Sequence, residues 1–409
     1  MSGEQHTHRQ VAIVGGGIGG IATAAFFRRT GIACCVYEQA SRLAEVGAGI
    51  VMAPNAVRLV RSLGLGAQLA QVGVRVETGW EFRRWDSAEV LLAQDMTICR
   101  SRYGEHAWLI HRADLLGMLL SAIDPAILHL GRRVVALRDA GHAVILEFAD
   151  GQTAQADLVI GADGIHSVVR AAVARSAPPR SAGVCAWRAL LPVEQVPALA
   201  RLPVQTLWLG PGRHLVHYPV SAGAKLNVVA FTPAGTWRSE SWTTDGDPAE
   251  LAAEFAGWNA RLTDLVQCVT QVSRWAVYDR EPIDRYVHGR IVLMGDAAHP
   301  MLPFYAQGAC QALEDAAALA ASITAPGVDL DLALEAYDAV RVPRATEVQE
   351  ASRGRLTSNH LPDGPQQRER DAAFATQDAL RHSDWLYGYD AEQAALQQIA
   401  ALRRSTGRG

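Results

Sequence analysis

Three stretches of this chain pair glycine with a carboxylate in a way that suits a ligand bearing phosphates and sugar hydroxyls. In "VAIVGGGIGG" the spacing is Gly15-x-Gly17-x-x-Gly20, and Glu38 follows further along. Gly15 permits a tight turn, Gly17 lets backbone approach a pyrophosphate, and Gly20 lets a helix pack closely on a strand. The unpaired N–H groups at the start of that helix favour negative charge. Glu38 is placed to accept hydrogen bonds from a ribose diol, which selects against a 2′-phosphate and leaves NAD or FAD.

The second stretch, "DLVIGADGIHSVVR", sets Asp163-Gly164 just after a buried run. The third, "RIVLMGDAAHPMLPFYAQGACQALEDA", sets Gly295-Asp296 after another such run and Gln307-Gly308 before a helical one. Asp163 also reads as a turn-former and Asp296 as a helix cap, and both alternatives stay open. Three glycine-bearing strand ends would converge on one extended cofactor. An NAD dehydrogenase needs only the first.

A fourth stretch suits ring chemistry. On a strand "RHLVHYPV", His214, Val216 and Tyr218 share one face and His217 points to the other. A histidine and a phenol together can hold a substrate hydroxyl and take its proton; a packed histidine on a sheet is the alternative. Trp187, Trp208 and Tyr305 are expected to line a site for a flat substrate, with core packing as the alternative. Arg188 and Arg213 are available for a substrate carboxylate.

The elements that position these groups read as α/β. "VAIV", a helix over residues 18–29 and the apolar run 34–37 make a βαβ unit. Residues 54–66 predict a helix that begins at a proline and stops at a glycine. "TGWEFRRWDSAEVLLA" alternates as a half-buried antiparallel strand pair does, and "AVILEFADGQTAQADLVIG" is a hairpin turning at Asp150-Gly151. Residues 180–275 are strand-rich, and everything past 308 is helical apart from a polar loop at "LPDGPQQ".

Bulk properties narrow the field. The 409 residues imply roughly two to three domains. With 49% apolar and 20% charged residues the chain is an ordinary globular one, not a disordered one. A net charge of −4 without a basic run argues against nucleic acid. The polar start "MSGEQHTHR" is no signal peptide, and no run is long enough to span a membrane, so a cytoplasmic location is expected. The six cysteines lack CxxC spacing and read as reduced core thiols, and no metal site is expected.

With all these motifs in order, the chain resembles the single-component FAD-dependent aromatic hydroxylases, the group of salicylate hydroxylase, 3-hydroxybenzoate 6-hydroxylase and 6-hydroxynicotinate 3-monooxygenase. "GAGIVMAPNA", "IHRADL" and "WLYGYD" also match that family, so the likeness covers nearly the whole chain. It implies a Rossmann-like FAD-binding domain of the glutathione-reductase type, in the p-hydroxybenzoate-hydroxylase fold, interrupted by a mixed β-sheet substrate domain. On that reading residues 1–73, 101–179 and 281–365 form the FAD domain, 74–100 and 180–280 the substrate domain, and 366–409 a C-terminal helical segment.

The resemblance also implies roles. Gly15, Gly17, Ile18, Gly20 and Glu38 match the adenosine-diphosphate site, with Arg42 a further cofactor contact. Arg112, Asp163, Gly164 and Asp296 match residues along the rest of the FAD, and Gly308 and Ala309 start a helix aimed at the flavin ring. His214, Tyr218 and Gln307 match phenol-contacting residues. The implied reaction uses NADH or NADPH and O2 to hydroxylate a small phenolic acid of the 3-hydroxybenzoate or salicylate kind through a flavin C4a-hydroperoxide. An N-heteroaromatic acid, or a flavin oxidase on the same fold, is the alternative. Val51 stands where hydroxynicotinate-type members carry a histidine, which favours a benzoate. The partners implied are an aromatic substrate and O2, in a monomer or homodimer.

Overall fold

The computed structural model describes residues 10–43, 49–174, 177–239, 244–376, 378 and 380–406. Its first layer is built on Val11–Val14, buried at all four positions. This strand pairs in parallel with Cys34–Tyr37 on one side and Leu158–Gly161 on the other. Leu158–Gly161 pairs in parallel with Ile291–Leu293, and the short Val287–His288 closes that edge antiparallel. Leu128–His129 closes the opposite edge. Strands that are apolar throughout suit a sheet covered on both faces.

Register decides what this layer can do. Val14 lies opposite Gly161, and Gly161 opposite Leu293. The three turns that follow, at Gly15, Ala162 and Met294, therefore leave the sheet side by side at its carboxyl edge. Ligands bind outside the carboxyl ends of such strands.

The second layer is an eight-stranded sheet in the order Asp245–Gly246, Val272–Asp279, Arg180–Pro192, Lys225–Pro233, Arg213–Val220, Val204–Gly210, Thr78–Arg84, Val90–Asp95. Its pairings are antiparallel except Val204–Gly210 with Thr78–Arg84. Two separate stretches of chain thus share one sheet. One face carries Trp187, Trp208, Leu215 and Leu226 and packs on the helices Pro248–Glu254 and Ala260–Gln267. The other face, with Ala186, Phe231 and Trp275, meets Leu302 and Phe304.

Residues 54–66 do not form one helix. Pro54–Ser62 ends before Gly64, whose φ of 81° is left-handed, and Gly66–Val72 begins anew. Glycine adopts that φ without strain, so the break falls inside the expected span.

The helices Gly308–Thr324, Leu330–Asn359, Pro365–Thr376, Asp384–Tyr387 and Ala391–Thr406 complete the chain. Asp329 caps the second through the Leu332 N–H. "WLYGYD" docks back onto the body: Tyr387 is 2% exposed and its hydroxyl accepts the Trp80 indole N–H at 3.0 Å. Among the described residues no helix is long and apolar enough to cross a membrane.

Candidate active site

The glycines of the first turn divide by what a side chain would meet. A Cβ at Gly15, where φ is 110°, would lie 2.3 Å from the Ala162 carbonyl oxygen, and one at Gly20 would lie 1.9 Å from that of Gly15. Both are required by the crossing of backbone on backbone. At Gly17, which precedes the helix Ile18–Thr30, a Cβ would meet nothing within 4 Å. Gly308, the first residue of its helix and followed by Ala309, is equally open. Two helix N-termini thus offer unblocked N–H groups, the feature that binds anions.

The carboxylates of the carboxyl edge differ in what they hold. Glu38 accepts the N–H of Gly16 at 2.7 Å and of Ala40 at 2.8 Å, so it orders the glycine turn from the end of the neighbouring strand. Asp163 accepts the Ser167 hydroxyl and the N–H groups of Val168 and Val169, which caps the short helix Val168–Val173. Burial raises its carboxyl above the ordinary range despite those donors. Gly164 beside it is left-handed, at φ 78°.

Asp296 is exposed to solvent, although protein atoms also crowd its carboxyl. Desolvation raises its carboxyl, and His299 and Arg112 pull the other way. Arg112, at the head of the helix Arg112–Ser121, is therefore brought to Asp296. Arg42 sits exposed in a bend. The Gly47-Ala48 part of "GAGIV" lies outside the described residues. The open glycine turn, the Glu38 carboxylate beside it and the second N-terminus at Gly308 fit an adenine dinucleotide with a flavin ring.

Beneath this edge lies a charge cluster that the sequence reading missed. Asp315 accepts the Gly295 N–H at 2.8 Å, His299 Nε2 at 2.6 Å and Arg341 Nε at 2.7 Å. Glu314 binds Arg341 at 2.6 Å, Arg344 at 3.1 Å and the Asn55 amide at 2.6 Å. Asn55 and Gln311 each donate to Gln307 Oε1 at 3.3 Å. Burial alone would raise both carboxyls. Arg344 and Arg341 reverse this for Glu314, and His299 and Arg341 for Asp315. The loop from Gly295 to Gln307 is thus tied to buried charge at its start and, through the Asn55 and Gln311 amides, to the same cluster at its end.

The face of the second sheet turned to this edge carries His214 and Tyr218, with Val216 between them. His214, 2% exposed, stacks on Phe231 at 4.7 Å, meets Phe304 edge-on at 5.4 Å and contacts His360 Nε2 through Nδ1 at 2.6 Å. Burial, with His360 second, pushes its imidazole well below the usual range. Tyr218 lies against Gly49, where a Cβ would come within 2.5 Å of the phenol ring. The Gly49 N–H donates to Asn227 Oδ1 at 2.8 Å, and Gly49 registers with His111 on the next strand. Asn227 Nδ2 and His111 Nε2 are buried without a hydrogen-bond partner. Burial raises the Tyr218 phenol. Val51 shares the strand Gly49–Met52, and its carbonyl oxygen meets Cys310 Sγ at 3.5 Å.

Two of the expected ring contacts fall elsewhere. Trp187 and Trp208 do not line the site: they project from the opposite face, where their indoles donate to Thr232 at 2.9 Å and His217 at 3.3 Å. Strand alternation is the reason, since Ala186 and Arg188 take the site-facing positions beside Trp187. Arg213 is engaged by Glu254 at 2.9 Å. Arg188 is buried, its guanidinium 4.4 Å from the Trp275 ring centre. Tyr305 is 9% exposed and packs near Trp80 and Trp385. Among the described residues no three His, Cys, Asp or Glu side chains gather as metal ligands.

Comparison with known proteins agrees with this geometry. A family model described as FAD binding domain matches residues 8–352. The chain is 44% identical over 382 residues to 3-amino-4-hydroxybenzoate 2-monooxygenase of Streptomyces cremeus, covering 93% of this chain and 95% of that one. It is 35% identical to salicylate hydroxylase of Pseudomonas putida, covering 98% and 97%. The crystal structure of Klebsiella pneumoniae HpxO complexed with FAD and uric acid superposes with a TM-score of 0.81 at 27% identity, covering 97% of each chain. With the carboxyl-edge cradle and these matches together, the chain belongs to the FAD-binding-domain family, as an FAD-dependent aromatic-ring monooxygenase.

Proposed function

We propose that this enzyme hydroxylates the ring of a small phenolic acid, an aminohydroxybenzoate or hydroxybenzoate, with NADH or NADPH and O2 as co-substrates. The observation that carries the reading is the pair His214 and Tyr218, set on one face about Val216. Four steps along the strand separate them by about 13 Å. With a hydrogen bond of about 2.8 Å at each end, that span accommodates one substituted ring.

The ends differ in chemistry. At the Tyr218 end, the buried Asn227 Nδ2 needs a partner, as does His111 Nε2 in the tautomer that carries its proton there, and an unmet buried donor costs about 1–3 kcal/mol. A substrate carboxylate supplies acceptors there, with buried Arg188 on the same face adding positive charge. At the other end, His214 holds the phenol hydroxyl and takes its proton, which makes the ring a better nucleophile. Burial keeps that imidazole neutral and so able to accept.

Reduced FAD, when bound, supplies the activated oxygen. The chain supplies the rest: Gly17 and Ile18 N–H groups for the pyrophosphate, Glu38 and Asp296 for sugar and ribityl hydroxyls, and the Gly308–Ala309 helix start for negative charge on the ring. Arg112, Asp163-Gly164, Gln307 and Arg42 belong to the same reading, Gln307 as the residue joining the substrate site to the buried cluster. The six-stranded layer holds the cofactor and the eight-stranded sheet the ring. Val51, which accepts no proton, favours a benzoate over 6-hydroxynicotinate.

The test is a panel of 3-amino-4-hydroxybenzoate, 3-hydroxybenzoate, salicylate, 6-hydroxynicotinate and 2-aminophenol, following NADH and NADPH oxidation, oxygen uptake and product mass. A benzoate should yield a product one oxygen heavier, and 2-aminophenol, lacking the carboxylate, should show KM raised at least about tenfold. Oxidation with stoichiometric peroxide and no product would indicate an oxidase instead.

A further inference from the structure

We infer that His214 and His360 form a two-imidazole path that carries the substrate's phenolic proton from the closed site to solvent. The inference rests on the reading that His214 meets the phenol. It goes beyond that reading in giving the proton a destination.

Among the described residues, the polar contact of His214 leads to His360. His214 is walled by the rings of Phe231 and Phe304, and its Nδ1 meets His360 Nε2 at 2.6 Å. His360 follows the helix Leu330–Asn359 and is itself half-buried, with exposed Pro362 and Asp363 close behind it. Its carbonyl oxygen accepts the Gly212 N–H at 3.1 Å, which ties the helix end to the turn ahead of the His214 strand. The ionisable group felt by His214 is His360; the one felt by His360 is Arg213, which is paired with Glu254.

A lone buried imidazole is a poor final acceptor, because burial disfavours the cation it becomes. Burial, with Arg213 second, likewise takes His360 down to about 4. A paired path avoids holding the charge. It starts from the tautomer in which His214 Nδ1–H donates to His360 Nε2, assigned on the hydrogen bond. The phenol O–H breaks and its proton bonds to His214 Nε2. The His214 Nδ1–H proton passes to His360 Nε2, and the His360 Nδ1–H proton leaves to water. The sum is phenol to bound phenolate plus a solvated proton, with both rings neutral and their tautomers exchanged.

The FAD-loaded enzyme tests this without turnover. The probe is 4-hydroxy-3-nitrobenzoate, whose phenolate is coloured, bound at low pH and jumped to high pH in a stopped-flow instrument. His360→Phe should bind it with Kd within about twofold and ionise it roughly a hundredfold more slowly, with added imidazole restoring part of the rate. His360→Gln, which keeps a hydrogen-bonding group, should also be slow, and guards against a misfolded phenylalanine variant. An unchanged rate in both His360 variants, while His214→Phe is slow, overturns the path alone. An unchanged rate in His214→Phe overturns the site reading and the path with it.

Discussion

A Cβ added at Gly17 would meet nothing within 4 Å, whereas one at Gly20 would sit 1.9 Å from the Gly15 carbonyl oxygen. Val at the two positions should therefore fail differently. Gly17→Val should fold with an unchanged apo unfolding midpoint yet bind FAD at least about tenfold more weakly, as read by flavin fluorescence titration. Gly20→Val should not yield folded protein. Equal FAD affinity in Gly17→Val would remove this turn from the cofactor site. The glycine spacing was legible because each glycine answers a local steric demand. Glu38 was legible as an acid at a strand end, but not as the acceptor of the Gly16 N–H, which depends on two strands lying in register. Trp187 was misplaced because residue type was weighed ahead of strand alternation.

At the scale of elements, the helices Gly308–Thr324 and Leu330–Asn359 are joined by the Arg341 contacts to Glu314 and Asp315, with side chains 0% exposed. The same contacts reach the cofactor edge through Gly295 and Asn55. Arg341→Met leaves two buried carboxylates short of a counter-charge, so unfolding in urea should reveal a loss of about 3–5 kcal/mol. A loss under 1 kcal/mol would mean that the loop does not lean on this cluster. The long helix was legible from its run of helix-forming residues, but the cluster was not. Arg341 lies 26 residues from Asp315 in sequence, and an arginine on a helix gives no local sign that it points inward. His360 escaped notice for the same reason, as one polar residue in a loop until the fold set it against His214.

At the scale of the whole molecule, His214, His217 and half-buried His360 lie where the surrounding protein opposes their charge, His214 and His217 on opposite faces of the eight-stranded sheet and His360 beside His214. Burial takes His217 to about 3 and His360 to about 4 from the ordinary 6.5, with Arg83 and Arg213 adding in the same direction. His214 moves the same way, through burial and then His360. The unfolded chain binds these protons below pH 6.5, and the folded chain does not until far lower. Their stabilisation is thus complete above 6.5 and is lost as pH falls toward 4 and then 3, by up to about 1.4 kcal/mol per pH unit for each histidine. Urea midpoints should drop between pH 7 and pH 5, and His217→Phe should flatten the slope; an equal slope would show that His217 titrates normally. The order of α/β and β segments was legible from hydrophobic period, while the joining of the 78–95 and 180–279 strands in one sheet was implied by the family resemblance alone, because that pairing is long-range. The central claim is that the cradle and the His214–Tyr218 face act on one ring. Turnover of 3-amino-4-hydroxybenzoate or 3-hydroxybenzoate under isotope-labelled dioxygen tests it most directly, with the product read by mass spectrometry. The account predicts one labelled oxygen atom on the ring of at least one of them. Full NAD(P)H oxidation with all the label in peroxide and none in either ring would contradict it.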